Sequence, residues 1–215
     1  MILEVNRILA PVTVLGAGKR LGLWVQGCRL RCPGCASVDT WIPGRGRRLE
    51  VAELARTISA EAIARGLDGL TLTGGEPFDQ AEALAALVER VRGGLTGWAG
   101  AGGFDVLAFT GYAAAAAPAR AGALWKRLDA AVCGPYRPDQ PSQSPLVASA
   151  NQELLVLSDL GRSKYPLAPC APRMQAFCDG EDLTMVGLPL PGDLDAIARR
   201  LAERGVALGR VSWRN

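Results

Sequence analysis

The chain has 215 residues, 49% of them hydrophobic and 21% charged, with a formal net charge of +3. This is the balance of a soluble globular protein with room for one sizeable core, and so small a charge gives no reason to invoke nucleic acid or a membrane surface. There is no histidine, which removes Ser–His–Asp hydrolysis, Cys–His proteolysis, His-ligated zinc hydrolysis and histidine general-base catalysis together. No apolar run approaches the ~20 residues that span a bilayer. The opening MILEVNRILAPVTVL lacks the basic region and small-residue cleavage site of a signal peptide, so the cytoplasm is the expected compartment. There, six cysteines point to metal or redox chemistry rather than to a disulfide framework. The basic cluster Arg45, Arg47 and Arg48 reads as a solvated loop.

In chain order, Leu21–Gln26 reads as a strand running into a cysteine-bearing loop. Leu49–Arg65 carries Val51, Leu54, Ala55, Ile58 and Ala62 at helical spacing and predicts an amphipathic helix. Leu70–Thr73 is a short β-type run ending at Gly74-Gly75, and a second helix is expected from Asp79 to about Arg92 with Asp79 as its N-cap. The glycine-rich stretch Gly93–Gly103 reads as a loop and Phe104–Thr110 as a buried strand. Ala113–Leu128 is helical in composition, with Pro118 breaking or starting the helix. Ala130–Cys133 is a short strand candidate, followed by a polar, proline-rich loop from Gly134 to about Pro145. Glu153–Leu157 reads as a further strand and Leu183–Val186 as a weaker one. Gly192–Glu203 reads as a last helix, its Asp193 and Asp195 early and Arg199 and Arg200 late, as the helix dipole favours.

Strand–loop–helix units in this number favour an α/β fold with a mostly parallel sheet, open or curved into a partial barrel. The functional loops of such sheets lie at the C-terminal ends of the strands. Both GCRLRCPGC and GGEP directly follow predicted strands. No repeat of fixed period and no linker divides the chain, so a single domain over residues 1–215 is expected.

Cys28, Cys32 and Cys35 have the spacing C-x3-C-x2-C. Three thiolates so close in one loop can converge on a metal centre. Structural zinc usually takes four protein ligands, and without histidine the fourth would be Cys133, Cys170, Cys178 or a carboxylate. A [4Fe–4S] cube can leave one iron open, so three cysteines and a vacant corner suit a cluster that binds something exchangeable. Spacing alone leaves zinc, or three inert buried cysteines, as alternatives. Thr73-Gly74-Gly75-Glu76-Pro77 follows a strand and precedes a helix. Its two glycines let the backbone approach a bound ligand, its carbonyls can accept from an ammonium group, and Glu76 adds a carboxylate nearby. By itself GGEP is an ordinary turn.

Together and in this order, the two motifs resemble those of the radical S-adenosylmethionine superfamily. That resemblance implies a partial (β/α)6-type barrel, one [4Fe–4S] cluster on Cys28, Cys32 and Cys35, and a fourth iron chelated by the amino and carboxylate groups of S-adenosylmethionine. It further implies reductive cleavage of the C5′–S bond to a 5′-deoxyadenosyl radical, with Gly74, Gly75, Glu76 and Pro77 beside the methionine moiety. Within the superfamily the chain is most similar to the activating enzymes of glycyl-radical enzymes, in particular the anaerobic ribonucleotide reductase activases. The matching segments are LWVQGC, CPGC, Trp41, Phe109-Thr110-Gly111-Tyr112, Val132-Cys133-Gly134-Pro135-Tyr136, Ser149-Ala150-Asn151-Gln152, and Gly16-Ala17-Gly18-Lys19-Arg20 ahead of the first strand. The resemblance adds Thr110 and Asn151 to the cofactor-binding residues. It implies a separate glycyl-radical enzyme as partner, and a flavodoxin or ferredoxin as electron donor.

The sequence departs from the activase pattern at Gly34, where many superfamily members have an aromatic residue, and at Cys133, where activases usually have Asp. The segment 161–215, with Cys170 and Cys178, extends past the usual short activase and is expected to pack on the same domain. These departures keep open a ribosomal peptide or a small metabolite as substrate. A non-catalytic metal-binding or electron-transfer protein is the alternative from another class. Gly16–Arg20 is neither a phosphate loop, lacking the earlier glycine and the Ser/Thr, nor a dinucleotide fingerprint, since Leu21 stands at the third glycine position. Cys133, Cys170 and Cys178 are too scattered to suggest a second cluster, so one is expected.

Overall fold

The chain begins with a strand that the periodicity did not reveal, β1 (Ile2–Val12), whose Leu3 and Val5 point into the core between polar Glu4 and Asn6. The computed structural model describes residues 1–98, 100, 103–165, 173–180 and 182–208. After β1 come β2 (Arg20–Val25), the short β3 (Arg47–Glu50) and helix α1 (Val51–Arg65). The unit β4 (Gly69–Gly74), a 3-10 turn (Pro77–Gln80) and α2 (Ala81–Gly94) follows, then β5 (Asp105–Thr110). A short α3 (Ala117–Ala121) continues as a 3-10 turn (Gly122–Arg127) into β6 (Ala130–Cys133) and β7 (Glu153–Val156). The chain closes with α4 (Asp159–Lys164), the hairpin β8 (Met174–Asp179) and β9 (Asp182–Gly187), and α5 (Asp193–Glu203).

The main sheet has the order β3-β1-β2-β4-β5-β6-β7. Its centre, β2-β4-β5-β6, is parallel, while β1, β3 and β7 pair antiparallel on the flanks. Among the described residues the parallel run therefore has four strands joined by crossovers, and the sixfold repeat implied by the resemblance is not filled. β6 is joined to β7 by the long proline-rich loop 134–152, which carries no crossover helix, and β7 returns antiparallel beside β6. The two faces of the central strands bury different partners. Leu21, Leu23, Val25, Leu70, Leu72, Val106 and Ala108 pack against Leu54 and Ile58 of α1 and Leu84 and Val88 of α2. The alternate residues Trp24, Leu107, Phe109 and Val132 face the other way, where the cover comes from loops and the β8–β9 hairpin. Fully burying one such aliphatic side chain stabilises by roughly 1.5–3 kcal/mol.

Most predicted elements sit where their periodicity placed them, and three local expectations are corrected. Asp79 is not the N-cap of α2. It lies within the 3-10 turn that Pro77 starts; Glu76 caps that turn, accepting from the Phe78 N–H at 2.9 Å, and Gln80 stands at the N-cap of α2 without a side-chain bond. The alanine-rich segment does not form one helix: Pro118 starts α3, and Gly122, at φ +53°, converts the chain to a 3-10 turn. The basic trio is exposed, with Arg47 and Arg48 on the edge strand β3 rather than in a loop, where charge discourages edge-to-edge pairing.

The Gly16–Arg20 stretch encloses a buried ion pair. Arg20 is fully buried, and its Nη1 and Nη2 each lie 2.8 Å from a carboxylate oxygen of Asp105. It also donates to Thr71 Oγ1 and to the carbonyls of Ala17, Leu70 and Asp105. Lys164 Nζ and Tyr165 Oη reach the same carboxylate. These contacts join β2, β4 and β5 at the ends away from the cysteine loop.

Candidate metal centre

The two motifs meet because their strands are neighbours in register. Val25 pairs with Gly74 at the C-terminal ends of β2 and β4. Beyond that pair the loops continue to hydrogen-bond, Gly75 N–H to the Val25 carbonyl and Glu76 N–H to the Gly27 carbonyl, both at 2.8 Å. A Cβ on Gly75 would lie 2.2 Å from the Gly27 oxygen, and one on Gly74 would lie 2.7 Å from Trp24 Cα. The glycines thus answer a backbone-to-backbone contact between the two loops.

The cysteine loop is closed at its base by Gly27 N–H to Thr40 and Cys28 N–H to Trp41. At its tip Cys35 N–H bonds the Cys32 carbonyl at 3.2 Å across Gly34, whose φ of +72° suits glycine. The Tyr136 ring lies beside Gly34, 3.4 Å from where a Cβ would stand. Cys28, Cys32 and Cys35 all line one cavity together with Gly74, Gly75, Glu76 and Thr110. Burial pushes the thiols of Cys28 and Cys35 up, and the Ser37 N–H, 3.4 Å from Cys35 Sγ, works in the opposite direction by favouring thiolate.

Glu76 is 1% exposed. Its Oε1 accepts from Phe78 N–H at 2.9 Å and from the Thr110 hydroxyl at 2.7 Å, and its Oε2 from Gly111 N–H at 2.8 Å. Burial nevertheless outweighs these bonds and raises the carboxyl to about 7. A cation brought into the cavity would restore its charge. Thr110 thereby acts on Glu76, and its oxygen in turn accepts from Tyr112 N–H at 3.1 Å. Tyr112 Oη donates to Asp79 at 2.7 Å, which raises the phenol to about 12.

Pro77 and Asn151 are not on the cavity wall. Pro77 is buried at the start of its turn, and Asn151 Nδ2 donates to the Pro135 carbonyl at 2.8 Å while its Oδ1 is buried without a partner. The neighbour Gln152 does reach the wall. Cys133 is buried in the helix-side core, its thiol pushed up to about 11 by burial. Cys178 is exposed, and Cys170 lies outside the described residues. Sequence reasoning missed Arg7, which lines the cavity with its guanidinium 5.2 Å from the Trp24 ring and paired to Asp39. It also missed Met185–Pro189, which line the same cavity.

The donor set fits a cube better than a single ion. A tetrahedral zinc holds each thiolate about 2.3 Å from one centre, and no three Cys, Asp or Glu side chains among the described residues are gathered for that. In a [4Fe–4S] cube each thiolate has its own iron, so three unpaired cysteines lining one cavity are suitable ligands. The family model described as a 4Fe-4S single cluster domain matches residues 14–155. The chain belongs to this family.

This cluster protein has activating proteins among its relatives. The anaerobic ribonucleoside-triphosphate reductase-activating protein of Enterobacteria phage T4 is 31% identical over 154 residues, 69% of this chain and 91% of the phage protein. The protein of the same description from Escherichia coli (strain K12) is 32% identical over 108 residues, covering 47% of this chain and 65% of that protein. The pyruvate formate-lyase-activating enzyme of Listeria monocytogenes is 39% identical over 88 residues, 38% of this chain and 34% of that enzyme. The chain thus spans less than two thirds of the E. coli and Listeria relatives. The crystal structure of QueE from E. coli resembles it with a TM-score of 0.38 at 17% identity, over 52% of this chain and 53% of that one; a likeness that weak carries no argument. The family places the chain in the radical S-adenosylmethionine superfamily of oxidoreductases, with one [4Fe–4S] cluster and S-adenosylmethionine as cofactors. No helix among the described residues is long and apolar enough to cross a membrane.

Proposed function

We propose that this chain is a radical activating enzyme that abstracts hydrogen from a glycine Cα of a separate glycyl-radical enzyme. One observation carries the reading: the three cysteines and Gly74-Gly75-Glu76 line a single cavity at the C-terminal ends of adjacent parallel strands. In this reading Cys28, Cys32 and Cys35 hold three irons of the cluster. Gly74, Gly75 and Glu76 flank the methionine moiety of S-adenosylmethionine, with Glu76 accepting from its ammonium group. When bound, the cluster and S-adenosylmethionine supply reductive C5′–S cleavage and a 5′-deoxyadenosyl radical. The chain's own contribution is placement and charge. Thr110 and Gly111 fix the Glu76 carboxylate, Ser37 N–H stabilises the Cys35 thiolate, and Pro77 and Asn151 act by holding their loops.

The finer expectations belong with this reading. We take the chain as one domain with its C-terminal segment docked, the four parallel strands as the curled half of a partial barrel, a flavodoxin or ferredoxin as electron donor, and the cytoplasm as compartment, where thiols stay reduced. The test is anaerobic reconstitution followed by dithionite-driven turnover. The expected results are 5′-deoxyadenosine, and a glycyl radical signal on an added glycyl-radical enzyme. Cys32→Ala should abolish both the visible cluster absorbance and the cleavage. Mass loss on a peptide substrate without any glycyl radical would overturn the activase reading, and zinc retention without 5′-deoxyadenosine would overturn the radical chemistry itself.

A further inference from the structure

Residues 14–155 match the family, yet part of the cavity wall comes from residues beyond them. Met185, Val186, Gly187, Leu188 and Pro189, at the end of β9 and just after it, line the same cavity as the cysteines and Glu76. This run contains no charged side chain.

The hairpin is fastened to the sheet at several points. Val186 is 3% exposed and packs with Val12, Val14, Leu15 and Trp24. Across the ladder from it, Gln175 accepts from the Thr13 N–H at 2.9 Å and donates to the Pro11 carbonyl at 2.9 Å. The base is closed by Leu188 N–H to the Arg173 carbonyl and by Arg173 Nε to the Leu188 carbonyl, at 2.8 and 3.1 Å. Arg173 also donates to the Ser144 carbonyl in the loop after β6. Gly187, at φ +132°, is the residue that lets the chain turn from the ladder into the wall, since a Cβ there would lie 2.0 Å from the Arg173 oxygen.

We propose that the β8–β9 hairpin is a fixed cover of the cofactor cavity, and that Met185 and Leu188 contact the uncharged nucleoside part of S-adenosylmethionine. The inference rests on the reading of the cavity given above. S-adenosylmethionine is charged at its amino-acid end and sulfonium and uncharged at its nucleoside. The lining suits both: Glu76, Thr110 and the cysteines for the charged part, and the uncharged 185–189 run, together with Leu15, Trp24 and Phe109, for the rest. α1 and α2 cover the other face of the sheet, and on this face the hairpin supplies part of the cavity wall. Burying the nucleoside against it removes apolar surface from water and strengthens the polar contacts inside the cavity by lowering the local dielectric.

The test is equilibrium dialysis of radiolabelled S-adenosylmethionine against the cluster-loaded chain without reductant, together with amide hydrogen exchange. In the native chain, ligand should slow exchange across 183–188. The double variant M185A/L188A should keep its cluster and lose affinity about tenfold. V186D, which detaches the hairpin, should lose more, and Q175A, which releases only the anchor to β1, should lose less. Should ligand leave hairpin exchange unchanged, or M185A/L188A bind within about twofold of the native chain, the hairpin is packing only and the proposal falls. Should the cluster-loaded native chain bind no S-adenosylmethionine, the reading of the cavity fails first and takes the proposal with it.

Discussion

The buried Glu76 carboxyl makes the cluster-free protein less stable as pH rises, and Glu76→Gln should remove that dependence. Glu76 is raised from its ordinary 4.5 to about 7, chiefly by burial. Between these values the folded chain binds more protons than the unfolded one, so stability falls with rising pH. The stability present below about 4.5 is progressively lost until pH passes 7. At about 1.36 kcal/mol per pH unit, the shift from 4.5 to about 7 corresponds to about 3 kcal/mol. Glu76→Gln deletes the titration at a separate, pH-independent cost of about 1–3 kcal/mol, because the amide cannot accept from Phe78, Thr110 and Gly111 together. The assay is urea unfolding followed by circular dichroism from pH 5 to pH 8 on both proteins. Other groups titrate in both, so the quantity of interest is the difference between the two profiles. The native chain should lose about 2–3 kcal/mol relative to the variant across this window. A difference that stays constant within about 0.5 kcal/mol would refute the argument that burial dominates at Glu76.

Arg20→Met should destabilise by about 3–5 kcal/mol in the same assay near neutral pH, because it leaves the Asp105 carboxylate buried with only Lys164 and Tyr165 as partners. Asp105 is held below its ordinary 3.8 mainly by Arg20, against the opposing effect of burial. Its contribution is therefore present above about 3.8 and is lost as pH falls through the depressed value, and Arg20→Met should flatten the acid limb of the stability profile. Gly75→Ala places a methyl 2.2 Å from the Gly27 oxygen. It should cost about 1–3 kcal/mol and, by parting the two loops, lower iron content on reconstitution; an unchanged iron-to-protein ratio would show that the loops tolerate separation.

The chemistry was legible in the sequence because it depends on residue types in short segments. The cysteine spacing, GGEP and the absence of histidine need no tertiary context to narrow the reactions available. The helix α1 was equally plain, since Val51, Leu54, Ala55, Ile58 and Ala62 repeat at the helical period and all five are buried. β1 was not, because past Val5 nearly all its residues are half-buried and the alternation fades, and Arg7 stayed hidden with it. Thr110 was picked out by resemblance, but its hydroxyl bond to Glu76 connects residues 34 apart in the chain and has no signature in either segment.

By itself the sequence determined the candidate ligands, the two loops that carry them and the buried face of α1, because those follow from local pattern and composition. The tertiary structure decided the rest. Adjacency of β2 and β4 turned two separate motifs into one cavity and revealed that Gly74 and Gly75 are required by a neighbouring backbone. Burial, a property of the whole fold, moved Glu76 to about 7. The hairpin from beyond residue 173 became a wall of the site only through packing on Val12, Leu15 and Trp24, contacts too distant along the chain for any sequence period to announce.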